Sequence, residues 1–158
     1  ADTLRTTGMI YVVIIGALLF SVFVNVSGLA DAVAEFVAGL HGSPLAVVLA
    51  MAAVLLLLGC VLDGLALMLL ATPIMLPIVE SMGMSPIWFG IFLIRSMEIG
   101  FITPPIGINV YVIQGIAKDV PLGRVFRGVV PFLIADLIHL GLIIAIPAMA
   151  LALPKWLS

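Results

Sequence analysis

Long charge-free runs mark this sequence, among them residues 36–62, 64–79, 99–117 and 137–154. A helix needs about 20 mostly apolar residues to cross the hydrocarbon of a bilayer. A chain buried there must satisfy its own backbone polar groups, which a helix does. Hydrophobic residues make up 65% of the chain and charged ones 9%, where soluble domains run at about 45–50% and about 25%. The sequence therefore reads as an all-α integral membrane protein that crosses the lipid bilayer several times.

The formal net charge is −2 and the 6 Lys and Arg residues are dispersed. No basic stripe of the kind nucleic acid needs can be assembled from them. Cys60 is the single cysteine, so an intrachain disulfide is excluded and the residue reads as a small apolar one. The opening ADTLRTT has neither an initiator Met nor a signal-peptide pattern and reads as the start of a piece of something longer.

Five segments follow along the chain. Residues 1–28 hold an uncharged apolar helix from Gly8 to Phe23 behind Arg5, a transmembrane scaffold helix. In 29–42, Leu29, Val33, Phe36, Val37 and Leu40 share one helical face while Asp31 and Glu35 mark the other, an amphipathic arm at the membrane surface. Segment 43–82 opens on Ser43-Pro44, an N-cap followed by a first-turn proline. It runs to about Gly59, meets GCVLDG and resumes as far as Glu80, a helical hairpin. Segment 85–118 opens alike on Ser85-Pro86, runs to about Thr103, meets a double proline and resumes to Lys118, a discontinuous transmembrane helix. Segment 119–158 holds a basic loop, VPLGRVFRG, and one apolar helix from about Val129 to Leu153, with Lys155 and Trp156 as an interfacial anchor. Lys118, Arg124 and Arg127 place that loop in the cytoplasm by the positive-inside rule, which puts both ends of the hairpin on the outer side.

The two interruptions carry the chemistry. Pro104 has no N–H, so the Gly100 carbonyl loses its helical donor, and Pro105 does the same to Phe101. A bare backbone group in hydrocarbon costs several kcal/mol, so such a break persists only where protein, water or an ion satisfies it. The first half-helix ends in carbonyls around Gly100 and Thr103, which suit a cation; the second begins with N–H groups at about Ile106 to Ile108, which suit an anion. Gly107 admits close approach to the backbone, and Thr103 and Asn109 add a hydroxyl and an amide. In the hairpin, Gly59 ends the first arm and the turn pair Asp63-Gly64 begins the second, where Asp63 can cap. Asp63 is also the only charged residue between Phe36 and Val79, and an ionisable group at such depth marks a functional site.

Two broken elements meeting near the midplane are how secondary transporters hold an anion beside its coupling ion. The oxygen donors make Na⁺ the natural cation, and the helix starts at Gly64, Gly107 and Asn109 are the candidate substrate-binding positions. Arg95 and Glu98, three apart, read as an intrahelical pair. Asp136 and His139 read as packing against neighbouring helices, with a proton relay as the alternative. Met68, Met75, Met82, Met84 and Met97 read as core filling, and Tyr11 and Trp88 fall near opposite interfaces. There is no H-E-x-x-H and no recognisable catalytic pair, so an enzyme is not expected.

The stretch MEIGFITPPIGINVYVIQGIA resembles the second-half signature of the large membrane (permease) subunit of tripartite ATP-independent periplasmic (TRAP) transporters. LLLLGCVLDGLALMLLATPIMLPIV and VFRGVVPFLIADLIHLGLIIAIPAMALALPKWL are similar to the same subunit, in the same order. The resemblance implies the C-terminal half of a sodium-driven, elevator-type permease of inverted-repeat, ion-transporter fold in the bacterial or archaeal cytoplasmic (inner) membrane. It implies a small membrane subunit and a periplasmic substrate-binding protein as partners, and organic anions such as C4-dicarboxylates or sialic acid as substrates. A sodium site would fall on Gly59, Gly100, Thr103 and Ile106, with Asp63 nearby; Ile106 comes from the resemblance alone. The first repeat of that family is not found in these residues, so a complete transport site needs more than this segment. A binding-protein-independent sodium/anion symporter and a structural or channel-like membrane subunit are the alternatives.

Overall fold

A computed structural model describes residues 2–28, 32, 35, 43–104, 107–116 and 119–157. The elements among them are helices: α1 (Asp2–Val26), α2 (Pro44–Gly59), α3 (Gly64–Ser81), α4 (Pro86–Ile102), α5 (Ile108–Ile116), α6 (Leu122–Ala145) and α7 (Ala148–Leu157). The amphipathic arm expected over 29–42 lies outside the described residues apart from Ala32 and Glu35.

The starts follow from local chemistry. The Ser43 hydroxyl accepts the Ala46 N–H at 3.3 Å, and the Ser85 hydroxyl accepts the Ile87 N–H at 3.2 Å, each with proline at the first helical position, where a missing N–H costs nothing. The end of α3 is a left-handed glycine cap. Gly83 sits at φ 72, its N–H donates to the Glu80 carbonyl at 2.9 Å, and the Met84 N–H donates to Val79 at 3.1 Å, the paired bonds that close a helix end.

Length decides how these helices sit in a bilayer. At 1.5 Å per residue, the 16 residues of α2 reach about 24 Å and the 17 of α4 about 26 Å, short of the ~30 Å hydrocarbon. The 24 residues of α6 reach about 36 Å and exceed that span, while the 18 of α3 reach about 27 Å.

One core joins α2, α3, α4, α6 and α7, and Leu55, Leu67, Val79, Phe92, Ile99 and Ile143 are at its centre. Trp88 is 1% exposed and stacks on Phe92 with ring centroids 5.0 Å apart. Met75 and Met97 fill the core as expected, whereas Met68 is exposed. Helix α1 stands outside this core and packs chiefly on α3.

The C-terminal segment differs from the expected single helix in two ways. It begins at Leu122 behind Pro121, so Arg124 and Arg127 sit on a helix and not in a loop; proline before the first turn starts a helix as well as it ends one. It also breaks at Ile146 and Pro147 before α7. Pro147 deprives the Ile143 carbonyl of its donor, and the buried Trp88 indole supplies one instead, Nε1 donating to Ile143 at 3.0 Å.

Arg95 makes the expected bond to Glu98, Nη1 to Oε2 at 2.5 Å. Its other terminal nitrogen, Nη2, pairs with Asp136 Oδ1. Asp136 is thereby engaged across the α4–α6 interface, which neither the packing reading nor the relay reading of Asp136 and His139 anticipated.

Candidate functional site: two helix breaks that touch

Each interruption is built by its own sequence. After Gly59 the chain turns through residues 60–63, with the Val61 and Leu62 N–H groups both on the Leu58 carbonyl. Asp63 restarts the helix: Oδ1 accepts from the Leu65 and Ala66 N–H groups, each at 3.1 Å. Both bonds fall on one carboxylate oxygen, so Oδ2 is open to a further partner, and Asp63 is exposed. The second break begins at Thr103, which turns extended at φ −87, ψ 133. Gly107 ends it in the left-handed region at φ 54, its carbonyl accepting from Val110 at 2.8 Å and Tyr111 at 3.3 Å.

These breaks meet. A Cβ on Gly100 would lie 2.8 Å from Gly59 Cα, 2.9 Å from Gly59 C and 3.0 Å from the Leu56 carbonyl oxygen. The two helix ends therefore cross backbone on backbone, an approach only glycine permits. Three residues further on, the Cys60 thiol donates to the Thr103 carbonyl at 3.7 Å, and the same oxygen lies 3.3 Å from where a Gly107 Cβ would be. Gly59, Cys60, Gly100, Thr103 and Gly107 thus form one neighbourhood drawn from both elements.

The oxygens there are partly committed. The Gly100 carbonyl, expected to be bare, accepts the Thr103 N–H at 3.2 Å, because the last turn tightens when Pro104 cannot donate. One of its two lone pairs remains. The Thr103 hydroxyl donates to its own helix at Ile99, 2.5 Å away, which leaves its oxygen as an acceptor. Among the described residues no backbone N–H bonds the Gly59 carbonyl. No group of three or more His, Cys, Asp or Glu that could hold a metal occurs among them either. What this neighbourhood offers is hard oxygen, mostly backbone, which fits an alkali cation.

The other expected positions divide. Gly64 faces α4, where a Cβ would meet Phe101 Cζ at 3.0 Å and Met97 Cε at 3.3 Å. Gly107 is buried against Phe126 of α6, 3.3 Å from its notional Cβ. Asn109 is exposed in the first turn of α5. Ile106 lies outside the described residues. Sequence reasoning missed the Cys60 link, since a lone apolar-flanked cysteine gives no sign of a donor bond 43 residues away.

Short apolar helices, interrupted where they touch, define a helical membrane protein whose polar backbone is gathered at one interior point. The model of the family "Tripartite ATP-independent periplasmic transporter, DctM component" matches residues 1–149, and the chain belongs to that family. The C4-dicarboxylate TRAP transporter large permease protein DctM of Pseudomonas aeruginosa is 36% identical over 154 residues, covering 98% of this chain and 36% of that protein. The sialic acid TRAP transporter large permease protein SiaM of Vibrio cholerae is 32% identical over 154 residues, again 98% and 36%. The 2,3-diketo-L-gulonate TRAP transporter large permease protein YiaN of Escherichia coli is 29% identical with the same coverage. The chain thus spans about a third of the length of these relatives.

Proposed function

We propose that this chain forms part of a sodium-coupled permease for an organic acid, a carboxylate such as a C4-dicarboxylate or a sugar acid, in the inner membrane. The observation that carries the reading is the contact of Gly59 with Gly100, which sets two interrupted helices tip to tip. Na⁺ sits among the carbonyls of Gly59, Gly100, Thr103 and Ile106, with Asp63 supplying charge nearby. The starts of α3 and α5, at Gly64, Gly107 and Asn109, present N–H groups to the substrate carboxylate. α2–α5 act as the moving half of an inverted-repeat, elevator-type transporter, with α1 on its scaffold. A small membrane subunit and a periplasmic substrate-binding protein complete the assembly.

The test is uptake of radiolabelled organic acid into proteoliposomes by the full chain with its partner subunits. Thr103→Ala keeps the Thr103 carbonyl but removes the hydroxyl, a further oxygen donor beside the four carbonyls. Asp63→Asn keeps the cap, since Asn and Asp cap equally well, yet removes the charge. Both should raise the sodium concentration for half-maximal uptake about tenfold, a loss of about 1.4 kcal/mol, with the melting temperature of Asp63→Asn unchanged. Unaltered sodium dependence in both variants would refute the site. Uptake that proceeds without the soluble partner would point to a self-sufficient symporter.

A further inference from the structure

A groove of about 440 Å³ runs between α1 and α3. It is lined by Ser21 of α1 and by Leu69, Thr72, Pro73, Pro77 and Glu80 of α3. Pro73 and Pro77 stand four apart within the helix, so they share one face, and each lacks the N–H that the residue four earlier requires. The residues so deprived are Leu69 and Pro73, both on the groove. Each proline thus leaves a carbonyl of a groove-lining residue without its usual helical donor. Thr72 adds a hydroxyl oxygen, whose proton goes to Met68 at 2.6 Å.

This succession of oxygens has a direction. Glu80 is exposed at the outer end, and among the described residues it has no ion-pair partner. Met68 lines the groove nearest the hairpin tip, five residues from Asp63, which caps α3. From Glu80 to Met68 is about 18 Å along the helix. Carbonyl oxygens about 6 Å apart, one per four residues, are too far apart to share one cation. They suit a file of waters, each bridging to the next.

We infer that the groove between α1 and α3 is a water-filled entry route that leads small monovalent cations from Glu80 to the hairpin tip. It rests on the sodium-coupled reading above, for which it names the path. The unneutralised Glu80 carboxylate concentrates cations at the mouth, the freed carbonyls and Thr72 keep the file hydrated through an apolar wall, and Asp63 receives the ion at the end.

The full chain with its partner subunits in proteoliposomes tests this, labelling being read with Cys60 replaced by Ser and uptake with Cys60 intact. Single cysteines are placed in the groove, Thr72→Cys or Leu76→Cys, and on the exposed flank of α2, Leu57→Cys, and treated with a membrane-impermeant cationic methanethiosulfonate. Two groove positions guard against one variant that fails to fold. Groove cysteines should react at least about tenfold faster than the flank one, since the thiolate forms only where water reaches. Glu80→Gln should slow that labelling and raise the sodium requirement of uptake about two- to threefold, the scale of one partly screened surface charge. Equally slow labelling at all three positions means a dry or lipid-filled groove and overturns the route, whatever uptake does. Fast labelling with Glu80→Gln indistinguishable from the parent overturns its cation role. Uptake by the unaltered protein that ignores sodium refutes the sodium-coupled reading, and the ion route with it.

Discussion

Gly100→Ala puts a single methyl group where the two breaks cross. The new Cβ would meet Gly59 Cα at 2.8 Å, Gly59 C at 2.9 Å and the Leu56 carbonyl oxygen at 3.0 Å. All three are backbone atoms, so no side chain can swing aside. Restoring ordinary carbon contacts near 3.5–4.0 Å requires α2 and α4 to part by about 1 Å. Overpacking of this kind costs about 1–3 kcal/mol. Against it stands the helix preference of alanine over glycine, worth about 1 kcal/mol. The offset is partial, leaving a net loss of up to about 2 kcal/mol, so stability alone is a poor readout: the melting temperature should be level or fall by a few degrees.

The sodium requirement is the decisive measurement. A 1 Å separation of Gly59 from Gly100 is large beside the tolerance of a built ion site, about 0.5 Å. Half-maximal uptake should need at least about tenfold more sodium, about 1.4 kcal/mol of lost binding. The control is Gly141→Ala, where an added Cβ meets nothing within 4 Å; it should keep parental sodium dependence and be neutral or slightly stabilised. If Gly100→Ala matched Gly141→Ala in both measurements, the crossing would not be part of an ion site.

Two further outcomes follow from bonds remote from the tips. Trp88→Phe retains the ring beside Phe92 but removes the donor to Ile143; leaving that buried carbonyl bare should cost about 1–3 kcal/mol, seen as a lower melting temperature of the purified chain, with the sodium requirement of uptake unchanged. Arg95→Ala strands Asp136, whose side chain is 29% exposed, and Glu98, at 50%. The Glu98 half should matter by under about 1 kcal/mol, so most of an expected loss of about 2 kcal/mol traces to Asp136. The double variant Arg95→Ala with Asp136→Ala should recover part of it in thermal unfolding.

What could be read in advance was whatever a short stretch decides by itself. Ser43-Pro44, Ser85-Pro86 and Asp63-Gly64 each combine a side-chain acceptor with a residue fit for a first turn, and each starts a helix in the structure. Glycine and proline mark both interruptions in the same local way. Two boundaries were hidden because proline has two meanings: Pro121 opens α6, and Pro147 divides what looked like one span. Arg95 with Asp136, 41 residues apart, and Trp88 with Ile143, 55 apart, were hidden because pairing across helices depends on rotation and depth. Neither quantity is written in any window of the sequence. The approach of Gly59 to Gly100 is intermediate: glycine at each break permits it, while only packing of α2 on α4 brings it about.

The three interruptions are not equivalent, and the difference bears on which of them the proposed sodium site can use. Each begins from the same deficit, a carbonyl without its helical donor in a chain surrounded by lipid. At Pro147 the deficit is closed by protein, since the buried Trp88 indole gives Ile143 its hydrogen bond. A break closed in that way bends a helix and keeps the freed oxygen of Ile143, itself 1% exposed, inside the core. At the other two the closure is incomplete: Cys60 contributes a weak sulfur donor to Thr103, Thr103 gives one N–H to Gly100, and no backbone donor among the described residues reaches Gly59. Oxygens left short of partners at one interior point are costly unless something else meets them. A cation that enters and leaves is the partner whose absence the fold would tolerate only in part of its cycle, which is the property a coupling ion needs.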